Sequence, residues 1–591
     1  MVNFPFRPSR LLMGVRKIVG NDQLILALLA IVVGTAAGGA GIVLREAIAL
    51  MQTVTFGSGD ARLFARAAGL AWWHVLLVPT LGGLAIGLFV HRFMPEGRPQ
   101  GVADVIEASA LRHARMSLWV SLRAGIVNAA SIGVGASTGR EGPAVHLGAA
   151  LGAWLAERLH LTRTLSRTLL GCGVSAAVAA AFNAPIAGAL FASEVVIGHY
   201  ALNAFAPFVI ASVTGTAISR AYFGDFPAFI IAEKSIISWW EFTAFVGLGI
   251  LAGVVAVLFM RSIAIAEATA RKMPAPVWLR PAIGGLIVGA VAIFVPHVLG
   301  VGYGATEAAL DVALPLSVLV AVCAAKLATT AVSLGFGFGG GVFSPALVIG
   351  AMLGGAYGIV VTDIMPGFSS GAGVYTIVGM GAMAAAVLGA PISTTLIVFE
   401  MTGDYEVTIA VMVAVVVASV ITEQFHGRSF FSWQLERRGL DLKGGFETTL
   451  LKGITVADVM EKEWPRITPE ATLQQVRRKL QESPIGELFV VHEDGILFGT
   501  ITLADLSDAA FDHAVDDLIN AVDVSRQHPP TVKVHDTLDR ALQVIRENGE
   551  AHIAVVDDDT SEMFVGCLHE SDVMAAYNRA LVQHRREERG E

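Results

Sequence analysis

The stretch GASTGREGPAVHLGAALG, residues 135–152, places one carboxylate, Glu141, among glycines, alanines and other apolar residues. Of the 591 residues in the chain, 54% are hydrophobic and only 15% are charged. This composition is typical of a polytopic membrane protein. An ionisable side chain within a membrane segment costs free energy, and the sequence therefore predicts a functional role for Glu141.

The same pattern returns in the second half of the chain as GVFSPALVIGAMLG, residues 341–354. Laid over residues 139–152 at an offset of 202, it matches at seven of fourteen positions, including the proline. A further pair of segments, residues 173–194 and 379–400, aligns at an offset of 206 and ends on a glutamate in both copies. Prolines and glutamates that recur at nearly equal offsets indicate an internal repeat.

Apolar segments follow one another from about Leu24 to Ile421. The approximate runs are 24–50, 74–93, 118–134, 144–160, 168–198, 203–222, 241–265, 280–299, 315–334, 343–363, 374–400 and 406–422. Several are too short to cross ~30 Å of hydrocarbon, which takes about 20 helical residues, and others are interrupted by glycine or proline. Short and broken helices at matching places in two halves predict an α-helical inverted-repeat transport fold, with its binding site near the middle of the membrane.

Each glycine-rich loop is expected to lead into a helix with Pro143 or Pro345 in its first turn, where the missing N–H costs nothing. A helix N-terminus offers unpaired N–H groups and the positive end of the helix dipole. Two such ends meeting in the membrane predict an anion site that needs no buried lysine or arginine. The alternative is that these are kinks for close helix packing. Two matched loops, one with an acid beside its proline, favour the anion site.

Glu141 is then predicted to act as a gate. When ionised, its carboxylate can occupy the positive helix end in place of the anion. When protonated, or displaced by an anion, it can swing out, which also makes it a candidate proton carrier. The alternative is a glutamate that caps a helix in a water-filled loop.

The C-terminal part of the chain differs in composition and has its own repeat. From Ile454 onward there are 27 acidic and 13 basic residues, whereas the remainder has 28 basic and 23 acidic residues and is mildly positive, which suits an anion as cargo. Residues 472–506 parallel residues 537–573, each with the pattern of a helix, a strand, a turn, a strand and a helix start. This pattern predicts a tandem α/β module. The expected divisions are a cytoplasmic N-terminal segment 1–22, a transmembrane domain 23–438, a linker 439–453, two modules at 454–512 and 513–578, and a charged tail 579–591.

Motifs in the apolar region resemble the CLC family of chloride channels and chloride/proton exchangers. They are GREGP at 139–143, GGVFSP at 340–345, FNAPIAGALFASE at 182–194 and FEMTGDY at 399–405. The resemblance covers about residues 25–435 and implies many tilted, partial helices and a homodimer with one pore per subunit. It also implies anion contacts from the backbone N–H groups of Val342 and Phe343. The full set of anion-site residues implied in this way is Gln100, Gly101, Arg140, Glu141, Gly142, Val342, Phe343 and Phe431.

Three positions depart from the family pattern. Gln100 and Ala103, in PQGVA at 99–103, stand where the family usually has the serine and proline of Gly-Ser-Gly-Ile-Pro. Phe431 stands where the family has a site-lining tyrosine, and Val195 stands where many exchangers have a second, internal glutamate. These departures change residues that the family associates with tight, proton-coupled exchange. They favour a passive chloride channel, with a chloride/proton antiporter of the same fold as the alternative.

The C-terminal repeat resembles a pair of CBS domains, the regulatory module named after cystathionine β-synthase, over about residues 454–578. GTITLAD at 499–505 carries the module's Thr-x-x-Asp signature, and the resemblance implies that Thr502 contacts phosphate and Asp505 holds ribose hydroxyls of an adenine nucleotide. The second copy keeps Asp572 but has His569 in place of the threonine. The alternative is that the pair serves only as a dimerisation platform.

A third class of function, a membrane protease or a divalent-cation transporter, fits the sequence less well. HEDGI at 492–496 and HESDV at 569–573 lack the second histidine of a zinc protease motif and lie in the soluble part. Cys172, Cys323 and Cys567 are scattered and imply neither disulfides nor a zinc site. We therefore expect no enzyme, no required cofactor and no nucleic-acid partner. The expected partners are chloride or another small monovalent anion, the lipid bilayer and a second copy of the chain. The basic N-terminus predicts a cytoplasmic start. We expect a multi-pass protein of the plasma or inner membrane with both termini in the cytoplasm.

Overall fold

The computed structural model describes residues 22–59, 63–198, 202–225, 236–440, 454–483, 486–506, 519–549, 552–558 and 563–589. The chain divides into two compact units, Met1–Leu440 and Asp441–Glu591, and each is described by itself. The expected N-terminal segment 1–22 and linker 439–453 lie almost wholly outside the described residues, as do the last two residues of the expected charged tail.

In its described residues, the first unit consists of helices joined by loops. Its helices are α1 (Asp22–Phe56), α2 (Leu63–Ala68), α3 (Trp72–Phe93), α4 (Val102–Ala110), α5 (Leu118–Gly133), α6 (Glu141–Arg158), α7 (Arg163–Phe182), α8 (Pro185–Phe191), α9 (Leu202–Phe223), α10 (Glu241–Lys272), α11 (Arg280–Phe294), α12 (Tyr303–Leu310), α13 (Leu316–Gly335), α14 (Phe343–Ile364), α15 (Ala372–Leu388), α16 (Pro391–Thr402), α17 (Tyr405–His426) and α18 (Phe430–Glu436). Among the described residues, nine helical stretches are long and apolar enough to cross a membrane. Shorter partial helices such as α4, α8 and α16 lie between them, as the sequence predicts.

Two apolar runs that the sequence presents as continuous are each two helices. The run 168–198 breaks at Asn183, whose φ of +59° ends α7, and Pro185 then starts α8. The run 374–400 breaks in the same way at Gly389, before Pro391 starts α16. A left-handed residue followed by proline cannot continue a helix, and both halves of the repeat use this break.

Small residues bring the helices that carry the two loops close to their neighbours. A β-carbon on Gly173 of α7 would lie 1.9 Å from the carbonyl oxygen of Gly148 on α6. The equivalent pair in the second half is also in close contact, because a β-carbon on Gly379 of α15 would lie 2.4 Å from the carbonyl oxygen of Gly350 on α14. Small residues permit this backbone approach between membrane helices. The tight packing fixes where α6 and α14 begin.

The two glutamates that the repeat alignment pairs cap helices across the halves. The backbone N–H groups of Ile392 and Ser393, in the first turn of α16, donate to Glu194 at 3.1 and 2.7 Å. Those of Ile186 and Ala187, in the first turn of α8, donate to Glu400 at 3.0 and 2.8 Å. Each half therefore supplies the acid that completes a helix N-terminus of the other half. This reciprocity confirms the internal repeat.

The second unit holds two α/β repeats with the predicted element order. Its elements are β1 (Arg466–Ile467), α19 (Leu473–Glu482), β2 (Glu487–Val491), β3 (Leu497–Thr502), α20 (Ala521–Val524), β4 (Arg526–Gln527), β5 (Thr531–Lys533), α21 (Leu538–Asn548), β6 (His552–Val556), β7 (Phe564–His569) and α22 (Glu570–Arg589). The sheets run β1-β2-β3-β4 and β5-β6-β7, with β1–β2 and β5–β6 parallel and the other pairs antiparallel. Glu487 pairs with Thr502 in the first copy and His552 with His569 in the second, which places the aligned positions at the same point of each sheet.

Gly173→Ala is expected to destabilise the membrane domain, because the added methyl group would overlap the backbone of Gly148. Overpacking of this kind costs about 1–3 kcal/mol. Gly41→Ala in α1 is the matched control, because no atom of the described residues lies within 4 Å of the position that its β-carbon would take. Thermal unfolding in detergent should show a lower midpoint for Gly173→Ala and none of that loss for Gly41→Ala. Equal midpoints for the two variants would contradict the packing described here.

Candidate functional site

The two glycine-rich loops are hydrogen-bonded to each other. Gly139 and Gly341, which the repeat alignment pairs, exchange backbone N–H···O=C bonds of 2.8 Å in both directions. The Thr138 hydroxyl donates to the carbonyl oxygen of Gly339 at 3.0 Å, and the N–H of Gly339 donates to the Ser131 hydroxyl at 3.0 Å. These bonds fix the starts of α6 and α14 against each other deep in the helical unit.

Glu141 is the first residue of α6, and only 2% of its surface is exposed. One carboxylate oxygen accepts a short hydrogen bond from the hydroxyl of Ser344, in the first turn of α14. The other accepts a bond of 2.6 Å from the Tyr303 hydroxyl and lies 3.7 Å from the Arg140 guanidinium. Two hydroxyl donors and a cation complement a negative charge on the carboxylate. The side chain of Glu141 therefore bridges the loop of one half to the helix of the other.

Tyr303 is a site residue that the sequence analysis missed. It begins α12 after Gly302, whose φ of +98° sets the turn. The buried Lys326 ammonium donates to the carbonyl oxygens of Val298 and Gly300 at 3.0 and 2.8 Å and so supports this turn. A lone tyrosine between two glycines, in VGYGAT, is a weak signal, and no repeat partner points to it. Its contact with Glu141 spans 162 residues of sequence, which local pattern reasoning cannot reach.

A small cavity of about 10 Å³ lies directly beside Glu141. This volume is about the smallest that can hold one water molecule. The aromatic rings of Phe182 and Phe343 meet there with centroids 4.7 Å apart. Its walls are Val102, Glu141, Gly142, Val145, Val178, Phe182, Phe191, Gly341, Val342, Phe343 and Phe431.

A much larger cavity of about 760 Å³ lies next to the small one. Its charged lining residues are Glu96, Arg98, Asp104, Glu107, Glu267, Arg271, Arg280, Arg437 and Arg438. The residues that border both cavities are Val102, Gly142, Gly341, Val342 and Phe431. These five residues, which we call the constriction, separate Glu141 from the large cavity. The large cavity is also lined by Leu440, the last residue of the helical unit.

The remaining residues of the predicted site have specific surroundings. Gln100 lines the large cavity, and Gly101 is the N-cap of α4. The N–H of Gly101 donates to Asp104 at 2.8 Å, so an anion at this helix end would compete with that carboxylate. Asp104 in turn pairs with Arg98 at 2.8 Å and with Arg438 at 3.0 Å. The start of α4 is thus a neutralised ion-pair cluster facing the cavity.

Val195, the position where many exchangers have an internal acid, lies in a π-helical turn, Ala192–Ile197, that follows α8. Its half-buried side chain cannot bind a proton. The adjacent Glu194 is engaged with the first turn of α16. Neither residue therefore supplies a free carboxyl group in this turn.

In the C-terminal unit, the first copy keeps the predicted Thr–Asp pair in one turn. Asp505 accepts hydrogen bonds from the backbone N–H and the hydroxyl of Thr502, at 2.7 and 2.6 Å, and lies 3.3 Å from Arg526. In the second copy the Nδ1 atom of His569 accepts a bond from the Ser571 N–H at 2.8 Å, and Asp572 lies in the first turn of α22. The two nucleotide-site candidates therefore differ chemically.

Comparison with known proteins matches the two units to two families. Residues 82–423 match the family model described as voltage gated chloride channel, and residues 456–512 and 521–579 match the CBS domain model. A putative chloride channel protein, ClcB-like, from Ralstonia nicotianae is 36% identical over 409 residues, which are 68% of this chain and 95% of the relative.

Two solved structures are similar in fold. The crystal structure of a slow cyanobacterial Cl⁻/H⁺ antiporter, at 26% identity, aligns with a TM-score of 0.62 over 70% of this chain and 97% of that one. A eukaryotic CLC transporter, at 19% identity, aligns with a TM-score of 0.61 over 93% of this chain and 98% of that one. The match of family models over both units, together with the paired glycine loops, shows that the chain belongs to the CLC family of chloride channels and transporters and carries a tandem CBS pair.

Proposed function

We propose that this protein is a chloride channel whose gate is Glu141. The observation that carries the proposal is the position of that carboxylate. It is buried where two helix N-termini meet, held by hydroxyl groups from two other helices, and separated from the large cavity only by the constriction. A negatively charged side chain in this place competes with an anion for the same positive helix ends.

The geometry supports a path for the anion. The large cavity has five arginines and four acids among its charged lining residues, which gives an anion a mildly attractive entrance. Beyond it, the backbone N–H groups of Val342 and Phe343 at the start of α14 are the donors proposed to contact the anion, with Gly142 and Phe431 forming the other walls. Helix dipoles and N–H groups bind less tightly than a buried cation, so the anion can leave again. Displacement or protonation of Glu141 then opens the way past Ser344 and Tyr303.

A channel is preferred over a proton-coupled exchanger because of Val195 and Phe431. Val195 carries no carboxyl group at the position where many exchangers have one, and Phe431 places a phenyl ring without a hydroxyl at the constriction. The relative from Ralstonia nicotianae is named a putative chloride channel protein, which agrees with this preference. The cyanobacterial structure is of a Cl⁻/H⁺ antiporter, and a chloride/proton antiporter is therefore the second candidate.

The proposal also covers the oligomeric state, the membrane location and the CBS pair. We propose a homodimer in the plasma or inner membrane, with the large cavity and both termini on the cytoplasmic side, that transports chloride without catalysing a covalent reaction. The domain boundaries proposed from the sequence are retained. In the CBS pair, Thr502 and Asp505 are proposed to bind an adenine nucleotide, with Asp572 as the weaker counterpart because His569 replaces the threonine. No cofactor is proposed for the membrane unit.

Reconstitution into liposomes tests the channel. With a proton gradient imposed and chloride equal on both sides, we expect no net chloride movement, because no proton is obligatorily exchanged for chloride. With a chloride gradient and an ionophore that carries the countercharge, chloride should leave without requiring a proton gradient. Chloride that moves uphill under the proton gradient would establish the antiporter instead. Chloride is measured with a silver electrode, and liposomes without protein are the control.

Glu141→Gln is expected to raise chloride flux at neutral pH by about tenfold or more. The amide is nearly isosteric but uncharged, and it loses charge-assisted hydrogen bonds that are typically worth about 1.5–3 kcal/mol. The flux should also lose its rise at acidic pH, since no carboxylate remains to be protonated at the gate. Flux measured between about pH 4.5 and 7.5 checks both effects. A variant that responds to pH as the unmodified protein does would exclude Glu141 as the gate.

Tyr303→Phe is expected to weaken the closed state, because it removes one donor from the ionised carboxylate of Glu141. The loss of one such bond, about 1.5 kcal/mol, predicts roughly a tenfold larger open fraction. Tyr357→Phe, which removes a hydroxyl near Gly247, is the matched control. In the Glu141→Gln background the Tyr303→Phe change should add nothing further. An additive effect there would show that the tyrosine acts independently of the gate.

A further inference from the structure

One arginine of the large cavity has no acidic partner. Each of the four acids that line this cavity pairs with a lining arginine, which is Arg98, Arg271, Arg437 or Arg438, at N···O distances from 2.5 to 3.7 Å. Arg280 is the fifth lining arginine and forms no ion pair with any described residue. Its Nε atom is buried and has no hydrogen-bond partner among those residues. The lining therefore carries one uncompensated positive charge, which costs free energy unless an anion accompanies it.

Packing on two sides fixes Arg280 at the wall of the cavity. It is the first residue of α11, and Pro281 follows it in the first turn. A β-carbon on Gly83 of α3 would lie 2.3 Å from the carbonyl oxygen of Pro281, and one on Gly337 would lie 3.6 Å from the Pro281 ring. Gly337 precedes Gly341 of the constriction by four residues, and both line the large cavity. Arg280 is therefore held against the segment that leads into the constriction.

The sizes of the two cavities decide which anions can stay beside Arg280. The large cavity has a volume of about 760 Å³, and the small cavity beyond the constriction has about 10 Å³. Sites for small molecules typically enclose about 300–1,000 Å³. A tetrahedral oxyanion, with four oxygen atoms around its centre, fits the large cavity, whereas the small cavity is just large enough for one water molecule. Such an anion is retained on the cavity side of the constriction.

The guanidinium group of Arg280 adds a chemical preference. Its N–H donors form a rigid, planar fork that matches two oxygen atoms of one oxyanion. A spherical halide ion offers no pair of atoms to this fork. The first turn of α11 contains no acid, so the positive end of the helix dipole adds to the charge of the arginine.

We propose that Arg280 anchors a binding site for a free tetrahedral oxyanion, of the sulfate or phosphate type, that blocks the chloride path from the large cavity. The bound oxyanion occupies the cavity in front of the constriction and repels chloride there. The proposal rests on the chloride path proposed above and adds an inhibitor to it.

Excised membrane patches that contain the full chain, with the cytoplasmic side facing the bath, test the block. Chloride current is recorded at constant chloride while sodium sulfate is added to the bath. We expect sulfate to reduce the current of the unmodified protein. Arg280→Gln should need about tenfold or more sulfate for the same reduction, because a charge-assisted hydrogen bond is lost. Arg280→Lys keeps the charge but not the fork, and its sensitivity should lie between the two.

Arg123→Gln is the matched control for the loss of one positive charge. Arg123 is an exposed residue of α5 that donates to the carbonyl oxygen of Phe93 at 3.2 Å and does not line the large cavity. Its variant should be as sensitive to sulfate as the unmodified protein. Equal sensitivity of Arg280→Gln and the unmodified protein would overturn the site. If glutamine does not yield folded protein, an Arg280→Lys variant as sensitive as the unmodified protein would overturn recognition by the fork.

A measurement that needs no transport separates this site from the proposed channel. In detergent without added lipid, sulfate should raise the thermal unfolding midpoint of the unmodified protein more than that of Arg280→Gln, because a ligand of the folded state stabilises it. The comparison removes the general stabilising effect of sulfate, which both proteins share. Equal shifts would overturn the binding site even if chloride current is normal. Absence of chloride current together with a larger shift in the unmodified protein would contradict the proposed channel and support the binding site.

Discussion

The pair of hydrogen bonds between Gly139 and Gly341 is the constraint on which the rest of the membrane unit depends. These bonds join residues 202 positions apart, and they hold the first turns of α6 and α14 together where neither is surrounded by water. Every backbone polar group at that depth must find a partner within the protein. The loops form many of these hydrogen bonds with each other and with Ser131 and Thr138. The N-termini of α6 and α14 therefore point toward one small volume.

The internal repeat brings together the two helix N-termini of the site, but the proposed gate depends on a difference between the two halves. Glu141 and Phe343 are equivalent first residues of α6 and α14, yet one carries a charge and the other a ring that walls the small cavity. Ser344 and Tyr303, both from the second half, hold the charge in place. A fully symmetric pair of loops would contain either two competing carboxylates or none. A single tethered anion requires that the halves differ at this position.

Much of the fold could be predicted from the sequence, because its information is local or repeated. Helix starts at Glu141 and Phe343, the Pro-marked breaks and the two α/β repeats all follow from patterns within a few residues or from the alignment of halves. The contacts between the site residues are harder to predict from the sequence. The family resemblance predicts Phe431 as a site-lining residue, and its ring lies at the constriction, whereas Tyr303 is not predicted as a site residue. The significance of Tyr303 depends on what lies beside it in space, and a lone tyrosine between glycines does not carry that information.

The crossed caps of Glu194 and Glu400 bear on how the chain is assembled. The first turn of α8 receives its acid from a residue more than 200 positions later, so those N–H groups lack this partner until nearly the whole membrane unit has been made. Neither half is therefore a finished folding unit, although each has its own glycine loop and helix pairs. Each half is completed by the other. Because the first half is synthesised earlier, the N–H groups in the first turn of α8 stay without this partner until the second half has been made.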